Sequence, residues 1–149
     1  MSGYRAHLEA SQTPLQKILT AGGYDREHAY QATMAYLKQT WASERFDALF
    51  CENDELAFGA LQAIRDFGER VHVGIVGFGD TKEAHSPTWH LTSLSQRNDL
   101  LADEAINRLL NSRSNNQGRW CHGELKIRHS HLGREVMSEP SKCGCASRH

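Results

Sequence analysis

The feature that most narrows the fold of this chain is a recurring unit: a short apolar run, a polar capping residue, then an amphipathic helical pattern. Phe46–Cys51 is such a run, and Asn53 or Asp54 follows as a cap. Ala57, Ala60, Leu61, Ile64 and Phe67 then recur on one helical face, and Gly68 stands where a C-terminal cap belongs. The preceding unit has the same form. Leu15–Thr20 reads as a strand ended by Ala21-Gly22-Gly23, and Asp25 caps a helix carrying Tyr30, Thr33, Met34, Leu37 and Trp41. Val71–Val76 is a third strand, Leu91–Leu94 another extended piece, and Gly123–Ser130 a last strand. A helix is expected from Asn98 or Asp99 through Leu110, and Gly3–Leu8 reads as the last turns of a further helix. Strands alternating with helices imply a doubly wound α/β fold, a parallel sheet covered on both faces.

At 149 residues the chain is long enough for a single core. The expected organisation is one domain over residues 1–132 and a flexible tail over 133–149, where Ser, Glu, Pro, Gly and Cys dominate. The tail pair Cys143 and Cys145 lacks a folded ligand set, so no metal is expected. No apolar run approaches the roughly 20 residues of a membrane span, and the first residues have no signal-peptide core. A cytoplasmic protein without a membrane partner is the expectation. Seventeen basic and eighteen acidic residues leave a formal charge of −1, which argues against a dedicated nucleic-acid surface.

In an open parallel sheet, ligands bind beyond the carboxyl ends of the strands. Three such ends carry Gly22-Gly23-Tyr24-Asp25, Glu52-Asn53-Asp54 and Gly77-Phe78-Gly79-Asp80. They offer an aromatic face, an amide and a carboxylate, a set suited to a small polar ligand with an apolar face, such as a sugar. Each also has a plainer use: Tyr24 as packing, Asn53 and Asp54 as helix caps, Asp80 as a turn residue. The glycines around Gly77 and Gly79 resemble a dinucleotide-binding turn, but Lys82 stands where its third glycine belongs and no helix pattern follows. No nucleophile–base spacing emerges from the nine histidines, so neither an enzyme nor a cofactor is expected.

Three stretches together resemble the C-terminal half of LacI/GalR-type transcription regulators. Asn53-Asp54-Glu55-Leu56-Ala57-Phe58-Gly59-Ala60 resembles the family's Asn-Asp-x-x-Ala-x-Gly-Ala. Val76-Gly77-Phe78-Gly79-Asp80 resembles its Val-Gly-Phe-Asp-Asp, and Glu124–Ser130 its closing Glu-Leu-x-x-Arg-x-Ser. Gly3-Tyr4-Arg5 with Leu8, and Leu91–Gln96, extend the likeness over nearly the whole chain to about Ser130.

The resemblance implies a periplasmic-binding-protein-like subdomain that senses a small-molecule effector, sugar-like, and forms homodimers. DNA contact would run only through a helix-turn-helix head that this chain does not contain. Carried over by position, Tyr24 stacks on the effector, Asn53 contacts it, and Gln96 faces the cleft from the crossing segment. Asp80 keeps the second position of the usual Asp-Asp pair, whereas Gly79 replaces the first. Phe58 matches a position on the dimer-forming face, and the 99–110 helix would present Leu101, Ala105, Ile106 and Leu109 to a second subdomain. The alternative is a fragment of an extracytoplasmic sugar-binding protein, which shares the fold.

Overall fold

A computed structural model describes residues 2–13, 15–68, 71–111 and 117–133. Helix α1 is Ser2–Ala10, α2 Arg26–Gln39, α3 Asp54–Phe67 and α4 Asn98–Asn111. The strands are β1 Ala48–Phe50, β2 Gly74–Phe78, β3 Thr92–Ser95 and β4 Glu124–Lys126. They form one sheet in the order β1-β2-β3-β4. The first three run parallel, with Ala48 opposite Gly74 and Val76 opposite Thr92. β4 is antiparallel to β3, with Ser95 opposite Glu124.

The helices begin where their caps dictate. The Asp25 carboxylate accepts the His28 N–H at 3.0 Å, and the Asn53 carbonyl accepts the Leu56 N–H at 2.7 Å. Helix α3 ends on Gly68, whose N–H reaches the Ile64 carbonyl and whose φ of +127° suits glycine alone. α2 and α3 cross closely at Gly59: a Cβ there would lie 2.2 Å from the Arg26 carbonyl oxygen. The core gathers Tyr36, Leu37, Phe46, Ala57, Phe58, Ile75 and Leu91. Tyr36 and Phe46 stack at 4.4 Å, and the Tyr36 hydroxyl accepts the Phe46 N–H at 3.1 Å, so the loop entering β1 is fixed by the helix it follows.

Three expectations need correction. Leu15–Thr20 is not a strand. It lines a cavity of about 610 Å³ together with Tyr4 and Leu8 of α1, the start of α2 and the length of β1. Tyr4 stacks on Phe50 at 5.4 Å, so α1 shares the space beside β1 in which a further strand would pair. β4 is shorter than Gly123–Ser130, because side chains take over the ladder after Lys126. The Arg128 N–H donates to the Thr92 hydroxyl, and the Ser130 hydroxyl accepts the Thr92 N–H, both at 2.8 Å.

Phe58 is fully buried in its own chain, under Trp89 at 5.1 Å and the Arg26 guanidinium at 4.9 Å. It offers no apolar surface to a second chain. The expected α/β plan with a mostly parallel sheet is present; α2 and α3 supply its buried residues, while α4 buries none. Most of the expected tail, residues 134–149, lies outside the described residues.

Candidate functional site

The parallel strands all deliver their carboxyl ends to one edge of the sheet. β1 delivers Glu52 and Asn53, β2 Gly79 and Asp80, and β3 Gln96 and Arg97. Because β4 is antiparallel, its first residue, Glu124, lies at the same edge. Asn53 and Tyr24 meet there directly: the Asn53 amide donates to the Tyr24 carbonyl at 3.3 Å. The Tyr24 ring is 71% exposed and its hydroxyl points to the Glu52 carboxylate at 3.5 Å. An exposed ring flanked by an amide and a carboxylate can cover C–H surface while taking hydroxyl or amine hydrogens. Gln96 is exposed at the end of β3.

Asp80 stands differently. Its carboxylate is held by the Arg128 guanidinium at 2.7 Å, with the His85 ring at 3.3 Å, and both members of the Asp80–Arg128 pair are largely buried. Its backbone sits at φ +51°, and its N–H donates to the Ser93 hydroxyl at 3.0 Å. The strand end is therefore tied inward by its own carboxylate. Gly79 adopts φ +121°, a conformation closed to an aspartate without strain. The backbone that turns the chain after β2 thus requires the glycine that displaces the family's first aspartate.

A buried network beneath this edge escaped the sequence reading. Asp54, 1% exposed, accepts the Ser93 hydroxyl at 2.6 Å and the Thr81 N–H at 2.7 Å. Gly77 makes room for it, since a Cβ there would lie 2.4 Å from the Asp54 carboxylate. Arg128 also donates to the Leu91 carbonyl, and the Ser130 hydroxyl donates to the Ile75 carbonyl at 2.6 Å. The closing Arg-x-Ser motif is thus a clasp across β2 and β3. The signal was present in that motif, but its partners are 36 to 55 positions away in sequence.

The Cys51 thiol is pushed up to about 12, mainly by burial and further by the Asp54 carboxylate, so it stays protonated at neutral pH. The glycine-rich turn after β2 leads into a 3₁₀ turn at Lys82–His85, not into a phosphate-binding helix. The large cavity is mostly apolar and follows the free edge of β1. Tyr24 and Glu52 reach its wall, whereas Asn53, Asp80 and Gln96 do not.

An exposed ring, an amide and a carboxylate thus meet at the carboxyl edge of a mostly parallel sheet. A family model of the periplasmic binding protein-like domain matches residues 1–131. The transcriptional repressor PurR of Salmonella arizonae is 33% identical over 133 residues, covering 83% of this chain and 38% of its own length. A putative LacI-family regulator from Sanguibacter keddieii superposes with a TM-score of 0.70 at 25% identity, covering 87% of this chain and 50% of its own. The lac repressor dimer bound to operator and an anti-inducer superposes with a TM-score of 0.69 at 26% identity, covering 88% of this chain and 46% of its own. The chain belongs to the LacI/GalR family and folds as its effector-binding, periplasmic-binding-protein-like domain. It spans 38% of that curated relative and about half of each solved one. These relatives are transcription regulators rather than enzymes.

Proposed function

We propose that the chain is the ligand-sensing and dimerising part of a transcription regulator that answers to a sugar or sugar derivative. The observation that carries this reading is the Tyr24–Glu52–Asn53 cluster: an exposed ring, a carboxylate and an amide at one strand-end edge. An aromatic face beside hydrogen-bonding groups is the common solution for holding a polyhydroxylated ring. Tyr24 stacks on the effector, and Asn53 and Gln96 contact it from neighbouring positions along the edge. Asp80 supports the site from beneath through Arg128. A flat heterocyclic base is the second reading, favoured by the same exposed Tyr24 ring. DNA contact belongs to a helix-turn-helix head in the whole regulator, and dimerisation to the apolar face of α4.

A thermal-shift screen of neutral sugars, sugar derivatives and nucleobases tests the reading, because a ligand held by the native state raises the unfolding midpoint. Tyr24→Ala should leave the stability of the free protein within about 0.5 kcal/mol of wild type, as for other exposed sites, and abolish the ligand's shift. An unchanged ligand shift in Tyr24→Ala would remove the stacking role.

A further inference from the structure

The distribution of charge along the strand-end edge carries one step more. Of the acidic side chains there, most are already engaged. Asp80 is held by Arg128 and His85. Asp54 is buried against Ser93 and Thr81. Glu124 accepts Lys126 at 2.7 Å and Arg97 at 3.7 Å, and these cations hold its carboxyl below the usual range. Asp25 caps α2 and binds the His28 ring at 2.6 Å. Glu52 is exposed, and among the described residues its contact is a neutral one, the Tyr24 hydroxyl at 3.5 Å. A carboxylate offers about four acceptor positions, so one such contact leaves most of Glu52 open to a ligand lying on the Tyr24 ring.

Gly79 sharpens the point. It cannot present a carboxylate, and the next residue, Asp80, spends its own on Arg128. The negative charge facing a ligand therefore moves from the end of β2 to the end of β1.

We propose that Glu52 is the specificity-determining charge of the effector site, selecting neutral or amine-bearing molecules that present hydrogen-bond donors and rejecting sugar phosphates and sugar acids. This rests on the strand-end site proposed above. The carboxylate accepts from hydroxyl or ammonium hydrogens of a ligand stacked on Tyr24, with Asn53 beside it. An anionic substituent at the same place meets a like charge.

The test is an amide-shift titration of the isotopically labelled chain, which reads even millimolar affinities. The probes are glucose, galactose, ribose, glucosamine, gluconate, glucose 6-phosphate and adenine. Glu52→Gln and Glu52→Lys are compared with wild type, their folding checked by circular dichroism, since Glu52 is a surface residue. Wild type should bind a neutral sugar or glucosamine more tightly than gluconate or glucose 6-phosphate. Glu52→Gln should weaken that binding at least tenfold, and Glu52→Lys should turn the preference towards the anions. A wild-type preference for gluconate or glucose 6-phosphate overturns the proposal. So does a neutral-sugar affinity that changes less than twofold in Glu52→Gln, an outcome that leaves the sugar reading in place. Adenine binding that depends on Glu52 supports the proposal and overturns the sugar reading instead. No response to any probe contradicts both.

Discussion

Asp80 and Arg128 lie 48 positions apart and meet at 2.7 Å with little exposure of either side chain. Removing one partner of such a pair strands the other in a poorly solvated place, at a typical cost of about 3–5 kcal/mol. Arg128→Ala should therefore lower stability by about 3 kcal/mol or more in urea denaturation, and adding Asp80→Asn should restore part of the loss. Additive losses in the double variant would mean that the two residues act separately. At this scale the sequence was a partial guide. Asn53 was named from its place after a strand, which local pattern sets; Tyr24 was placed after a strand that does not form, and Gln96 was named by the family resemblance. The tie between Asp80 and Arg128 was not legible, because nothing near Asp80 in sequence reveals its partner. Phe58 was assigned to the dimer-forming face through the family resemblance. Trp89, which covers it, sits on a distant turn.

Among the elements, the helices were legible and the strands less so. A helix carries its own caps and its own periodicity, and Asp25, Asn53 and Gly68 cap where they were expected. A strand depends on its partner. Leu15–Thr20 has strand composition but no ladder, and β4 yields its final residues to side-chain bonds from Thr92 and Ser130. The clasp between α2 and the turn at Lys82–His85 gives a prediction at this scale. Arg26 donates to Glu83 at 2.9 Å and also binds Glu55, while the Trp89 indole donates to Glu83 at 2.9 Å. The Arg26 bond first, and the Trp89 bond second, hold the Glu83 carboxyl below its ordinary value. A carboxyl lowered on folding stabilises the native state above the unfolded pKa and loses that contribution as pH falls through the folded value. Wild-type stability should be flat with respect to this group near neutrality and decline in acid. Glu83→Gln should decline less steeply between the ordinary carboxylate range and the lowered one. Identical acid limbs in urea titrations of the two proteins would show that the clasp carries no linkage. The effect is small, because both ends of the ion pair are partly solvated.

At the scale of the whole molecule, apolar side chains on α4 stand exposed among the described residues. Helix α4 buries no residue, and Leu101, Ile106, Leu109 and Leu110 are all exposed, Leu109 by 84%. Leu125 and Ile127, on and just beyond β4, are exposed as well. Exposed apolar side chains of this kind favour association with a further surface. The double substitution Ile106→Lys and Leu109→Lys should shift the chain towards monomer in sedimentation at high micromolar concentration without lowering its unfolding midpoint. A wild-type monomer at that concentration would contradict it.

The central claim is that a ligand binds at the carboxyl edge of the sheet. The most direct test maps the amide shifts caused by the ligand that stabilises the chain most in the thermal screen. The account predicts changes gathered at residues 22–25, 52–54, 79–81 and 96–98, where the strand ends meet. Changes confined to α1 and residues 15–20, along the cavity beside β1, would contradict it.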